Sequence, residues 1–186
     1  MPLTFEWDPS LDHRLRDGLR ALWADVAEAG GADGLAAPVS AEDLRADLLN
    51  HLAAVDAGST RMLIGRDERG AVAASAFLAF NAHRPKRHWC SVYTVMVHPA
   101  LQGRGYGREL MSAVEQGARG IDGITALRIS CRGGLGLERF YGGCGYREVG
   151  RLPDAIRVTD DDFRDDVTLW LPLVPGGALA RSGHCV

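Results

Sequence analysis

Residues 95–110, VMVHPALQGRGYGREL, hold the residue types and spacing that could do chemistry. Gly103, Gly105 and Gly107 alternate with Arg104, Tyr106 and Arg108, and Gln102 precedes them. Glycines leave backbone N–H groups uncovered by side chains. At a helix N-terminus those groups and the helix dipole both favour an anion. Each glycine also carries a folding-entropy cost that a plain turn does not require three times over. The chemistry indicated is anion binding by main-chain N–H groups, flanked by the guanidiniums of Arg104 and Arg108. A pyrophosphate suits such a site.

The flanking residues supply the elements that must position it. Ser91 to Val97 is β-branched and apolar, as a buried strand requires. His98-Pro99 ends that strand, because proline cannot donate to a ladder and restricts its predecessor. Leu110, Met111, Val114 and Ala118 then recur at helical spacing, with Arg108, Glu109, Glu115 and Gln116 on the opposite face. The order is strand, glycine-rich turn, helix. A glycine-rich connection without a ligand is one alternative. A dinucleotide-binding turn is another, with Asp122 downstream as the ribose contact. Against the latter, the spacing is G-x-G-x-G, and Pro99 and further residues separate strand from helix where such a turn is tight.

The bulk properties narrow the class. At 186 residues the chain is long enough for one domain with a substantial core. Hydrophobic content of 46% and charged content of 24% are ordinary for a globular protein. A formal net charge of −3 disfavours nucleic acid as a partner. No apolar run suits a membrane span, and residues 1–10 lack the pattern of a signal peptide. Cys90, Cys131, Cys144 and Cys185 form no metal-binding spacing, so no metal is expected, and reduced thiols in a cytoplasmic protein are the simplest reading.

In chain order, Leu3 to Trp7 reads as a short strand. Pro9-Ser10 opens a helix carrying Leu11, Leu15, Leu19, Leu22 and Val26. Gly30, Gly31 and Gly34 loop to a second helix, with a near capping box at Ser40–Asp43 and apolar positions at Leu44, Leu48, Leu52 and Val55. Strands at 61–66 and 71–81 enclose a hairpin turn, which no βαβ dinucleotide unit would place there. A basic loop, His83 to His88, leads to the motif strand at 89–97 and the helix at 105–119. A strand at 125–131, a short helix at 137–144 and a strand to Leu152 follow. Residues 154–164 read as a loop, Asp166 to Leu173 as a closing strand, and 175–186 as a mobile tail beyond a single domain spanning 1–174.

Val-x-Val, His-Pro and Gln-x-x-Gly-x-Gly resemble the acetyl-CoA signature of the GNAT superfamily of N-acyltransferases. LERFYGGCGYREVGRL (137–152) is similar to that family's later helix, with its tyrosine, followed by Gly-Tyr at the next strand. The longer loop between the first two helices is similar to the antibiotic- and toxin-acetylating branch, including tabtoxin-resistance-type enzymes. The resemblance covers Leu3 to about Val174 and implies an α/β (α+β) fold. That fold has a central mixed, largely antiparallel sheet of about six to seven strands, helices on both faces and a splayed central strand pair.

It also implies the chemistry. Val95, Met96 and Val97 would hold the pantetheine arm of acetyl-CoA through main-chain atoms. Gln102, Gly103, Arg104, Gly105, Tyr106, Gly107 and Arg108 would hold its pyrophosphate. Acetyl would pass to a primary amine of a small molecule by direct attack in a ternary complex. Tyr141 would be the general acid, since a phenol's proton affinity is comparable with a thiol's. No Asp or Glu lies within 89–97 or 125–131, where many members place a base, and the frequent Asn is replaced around Gly133-Gly134. Ordered water, Tyr93 or His98 are then the routes for the amine's proton. Asp160 to Asp166 reads as a solvated loop, or as a rim that concentrates a cationic acceptor. A non-catalytic acyl-CoA-binding or regulatory domain, a protein or peptide amine as acceptor, and a longer acyl group are the rival readings. A homodimer stays open.

Overall fold

Apolar stripes at two spacings settle onto the two faces of one sheet. The computed structural model describes residues 2–30 and 41–174. The elements are β1 (Thr4–Trp7), α1 (His13–Glu28), α2 (Ala41–Asp56), β2 (Thr60–Arg66), β3 (Val72–Phe80), β4 (Trp89–Val97), α3 (Tyr106–Arg119), β5 (Ala126–Arg132), α4 (Leu137–Gly142), β6 (Arg147–Arg157) and β7 (Phe163–Pro172). The strands are ordered β1-β2-β3-β4-β5-β7-β6. All neighbours pair antiparallel except β4 and β5, which run parallel.

Strand alternation divides the core. Met62 and Ile64 of β2 face one way, where Leu15, Leu19, Leu22 and Trp23 of α1 and Leu48 and Leu52 of α2 cover them. Leu63 faces the other way, with Leu110, Met111, Val114 and Ala118 of α3 and Tyr141 of α4 in the same buried cluster. Each such aliphatic side chain contributes about 1.5–3 kcal/mol of burial. The expected mixed sheet with helices on both faces is therefore the observed architecture.

Several boundaries differ for identifiable reasons. Helix α1 starts at His13, because the Asp12 carboxylate caps it, accepting from the Leu15 N–H at 2.8 Å. The segment read as a loop at 154–164 is mostly strand, since β6 runs to Arg157 and β7 starts at Phe163. β6 is an edge strand, so Pro153 costs it no inner ladder bond. The ladder slips between Leu152 and Ile156, where Asp154 takes a φ of +53°. The Ser40 capping box, Gly31, Gly34 and the 175–186 tail lie outside the described residues.

The feature that makes the site is a failure of pairing at the centre. The β4–β5 ladder extends only from Trp89↔Ala126 to Val92↔Ile129. Beyond that point β5 stays with β7, while β4 stays with β3. The β3–β4 register shifts between Ser75 and Phe77, opposite Thr94, which has a φ of +49°. A β-branched residue in the left-handed region is a strained position, costing on the order of 1–3 kcal/mol, and such bulges redirect a strand beside a functional site.

Candidate active site

The gap between β4 and β5 borders two clefts. One, of about 640 Å³, is lined by Val95, Met96, Val97, Gln102, Gly103, Gly105, Gly107 and Arg108, with Val26 and Ala29 at the end of α1 and Leu137, Phe140 and Tyr141 of α4. The other, of about 480 Å³, is lined by Asp47, His51, Tyr93 and Thr94 from one edge and Ser130, Cys131, Arg132 and Asp166 from the other. Both clefts are lined by Val95, Leu137 and Tyr141. Two compartments therefore meet where the strands diverge.

The glycine-rich turn forms the floor of the larger cleft. Gly105 is the N-cap of α3 with a φ of +93°, and it supplies no capping side chain. The first-turn N–H groups of α3 thus have no side-chain cap. A Cβ at Gly103 or Gly105 would meet no heavy atom within 4 Å, so both glycines border open space. Gly107 is different. A Cβ there would stand 3.1 Å from Phe140, so it is small to let α3 approach α4. Gln102 donates from Nε2 to the Val97 carbonyl at 3.0 Å and fixes the strand end. Arg108 points toward the Gly143 carbonyl and lines the cleft. Arg104 is exposed, and Tyr106 is buried in the core beneath the turn. The fit to a pyrophosphate rests on the turn's main chain and Arg108, with Arg104 nearby.

Two titratable groups here, Tyr141 and Cys131, are strongly shifted. Burial pushes the Tyr141 phenol well above its ordinary range, with Cys131 and Cys144 adding to it. Tyr141 therefore keeps its proton at neutral pH. Burial also pushes the Cys131 thiol up to about 12, helped by Glu138 and Asp166. Tyr93 is raised by burial as well, and its hydroxyl shares a 3.3 Å hydrogen bond with Thr60 Oγ1. His98 is held away from both clefts. Its Nδ1 accepts from the Ala100 N–H at 3.2 Å, and its Nε2 lies 3.1 Å from Asp25 Oδ2. Its structural role explains why a histidine stands before that proline.

The aspartate cluster divides. Asp160 pairs with Arg157, Asp162 with Arg164, and Asp165 with Arg151. Of the cluster, Asp166 alone lines the smaller cleft among the described residues. Residue-by-residue reading missed Asp47 and His51, which α2 brings to the same cleft, and Thr94. An Asp-x-x-x-His spacing on a helix was a usable signal for the first two, since residues four apart share a face. Nothing in the sequence marks Thr94. Among the described residues no group of three or more His, Cys, Asp or Glu could hold a metal ion.

The model of the acetyltransferase (GNAT) family matches residues 16–146. The chain belongs to that family. It is accordingly an acyl-CoA-dependent acetyltransferase with the GNAT fold. Solved structures agree in fold. A phosphinothricin acetyltransferase from Sinorhizobium meliloti, in complex with acetyl-CoA, is 18% identical with a TM-score of 0.75, covering 96% of this chain and 92% of that one. A chimera of the spermidine N-acetyltransferase SpeG from Vibrio cholerae and hSSAT is 15% identical with a TM-score of 0.72, covering 93% of this chain and 96% of that one. A ribosomal-protein-alanine N-acetyltransferase from Brucella melitensis is 20% identical with a TM-score of 0.71, covering 91% and 99%. No helix among the described residues of this GNAT protein is long and apolar enough to cross a membrane.

Proposed function

We propose that this GNAT enzyme transfers acetyl from acetyl-CoA to the primary amine of a small molecule, by direct attack in a ternary complex in the cytoplasm. The observation that carries the reading is the pair of clefts meeting at Val95, Leu137 and Tyr141. A thioester in one cleft and an amine in the other would meet without an intermediate carrier. The uncapped turn at Gly103–Gly107 and Arg108 would hold the diphosphate. Main-chain groups of Val95–Val97, which have no β5 partner, would hold the pantetheine arm.

Tyr141 would protonate the departing sulfur. Its raised proton affinity is no obstacle, because the same apolar surroundings destabilise a thiolate and raise that group's demand for a proton. Cys131 faces the acceptor cleft, and its thiol form argues against an acyl-cysteine route, since the thiolate is the nucleophile. Asp47 and Asp166 put negative charge in that cleft and favour a cationic acceptor. The named acceptors of similar structures, phosphinothricin and spermidine, are small amines. The ribosomal-protein alanine of another keeps a protein amine as the second reading. A second copy of the chain is the homodimer partner we favour, docking on the β6 edge where Val149 and Leu152 are exposed.

Free-thiol release from acetyl-CoA, measured with spermidine, phosphinothricin and a peptide beginning with alanine, tests the reading. Amine-dependent release with either small amine supports it. Release with the peptide alone moves the acceptor to protein. Binding of acetyl-CoA without release by any of the three refutes these acceptors.

A further inference from the structure

No carboxylate stands on β4 or β5, so the proton of the incoming ammonium needs another destination. On α2, His51 is held in one orientation. Its Nδ1 lies 2.8 Å from the Asp47 carbonyl oxygen, which can only accept. Nδ1 therefore carries a hydrogen, and in the neutral ring Nε2 carries the lone pair. Nε2 lies 2.9 Å from Thr94 Oγ1, so the Thr94 hydroxyl donates to it. Thr94 is the strained bulge residue whose neighbour, Val95, sits at the junction of the two clefts, and both Thr94 and His51 line the acceptor cleft.

We propose that His51 accepts the acceptor's ammonium proton, relayed through the Thr94 hydroxyl. This rests on the acetyl-transfer reading. The N–H bond of the ammonium breaks and its proton passes to Thr94 Oγ1. The proton already on Oγ1 moves to Nε2, and the freed amine lone pair attacks the thioester carbonyl. The positive charge left on the imidazole lies 3.6 Å from Asp47 Oδ1. The strain at Thr94 has a use on this account, because it turns the hydroxyl out of the ladder toward His51.

The surroundings suit the role. Trp23 of α1 and Phe77 of β3 present only ring contacts to the imidazole, each centred 5.0 Å away. Tyr93 of β4 presents its ring at 5.0 Å and a phenol that is raised and so neutral. Among the described residues the charged groups lining the cleft with His51 are Asp47 on its own helix and, across the cleft, Asp166 and Arg132. Cys131 and Tyr141 also line that cleft as neutral groups.

The test begins with calorimetry of acetyl-CoA on the wild-type protein. Absence of binding refutes the acetyl-transfer reading itself, and the relay falls with it. Given binding, thiol release is followed with spermidine and phosphinothricin from pH 6 to 9.5. His51→Gln should lower kcat/KM by roughly a hundred- to ten-thousand-fold, the range of a lost general base. It should also remove the acid limb of the profile while leaving the acetyl-CoA Kd unchanged. Thr94→Ser should keep the wild-type profile, and Thr94→Ala should resemble His51→Gln. If His51→Gln does not fold, the Thr94 pair decides. Wild-type rate and limb in either His51→Gln or Thr94→Ala overturn the proposal. If neither amine is turned over, ¹⁵N NMR of the His51 ring decides. A neutral ring protonated on Nδ1, shifting in Thr94→Ala, supports it, and one protonated on Nε2 overturns it.

Discussion

Cys131 lines the proposed acceptor cleft together with Tyr141, a position from which a cysteine could carry the acetyl group, so its reactivity discriminates between two mechanisms. Its thiol is pushed from 9.0 up to about 12, first by burial and then by Glu138 and Asp166. At pH 8 that shift lowers the thiolate fraction roughly a thousandfold. A more basic thiolate is a better nucleophile, with a Brønsted slope near 0.4–0.5, which returns a factor of about twenty over three units. The net expectation is alkylation slower by roughly fiftyfold than for a solvated thiol, before any loss from restricted access. Iodoacetamide labelling of the native protein at pH 8, with the Cys131 peptide quantified by mass spectrometry against the urea-unfolded chain, measures it. Labelling of Cys131 at the unfolded rate, or an acetyl group trapped on it after incubation with acetyl-CoA, would refute direct attack.

Tyr141→Phe should keep acetyl-CoA affinity and lower kcat by roughly ten- to ten-thousand-fold in thiol release, and wild-type turnover would make Tyr141 a packing residue. Asp166→Asn should raise KM for spermidine while sparing the KM for acetyl-CoA, and should do so less at high salt, because charge there attracts the amine without touching the reacting carbonyl. Stability should fall as pH rises above 9. The unfolded chain then releases thiol protons that folded Cys90, raised by burial to about 11, and folded Cys131 retain. Each thiol contributes up to about 1.4 kcal/mol per pH unit over its window, and the sign follows because the folded state binds more protons there. Urea unfolding at pH 8 and 10.5 checks this, and an unchanged unfolding free energy would contradict it.

Much of this was legible because it depends on local rules. The stripe Leu110, Met111, Val114 and Ala118 is buried on α3 as its spacing required, and G-x-G-x-G does turn the chain at positive φ into a helix start. The divergence of β4 from β5 was accessible only through family resemblance, since no residue type announces where a parallel ladder stops. The loop expected at 154–164 is confined to residues 158–162, where the aspartate run does lie, because Pro153 is a loop signal in most contexts while here β6 continues past it to Arg157. An edge strand with a bulge tolerates the proline; Arg151 pairs with Asp165 across the hairpin, and Arg157 and Arg164 pair locally with Asp160 and Asp162 of its turn. The Asp47–His51–Thr94 chain escaped because it joins residues 43 positions apart, and only the packing of α2 on the sheet brings them together.

The central claim is that the uncapped turn at the start of α3 binds the diphosphate of acetyl-CoA. Calorimetry of acetyl-CoA on the wild-type protein and on Gly103→Asp tests it most directly. Gly103 has a φ of +73° with open space around its Cβ position, and aspartate is among the residues that tolerate this conformation, so the variant should fold. The added carboxylate would stand where phosphate approaches. The account predicts one acetyl-CoA per chain for the wild type and an affinity lost by a hundredfold or more, about 3 kcal/mol, in a folded Gly103→Asp. Equal affinity in the two proteins, or none in the wild type, would contradict it.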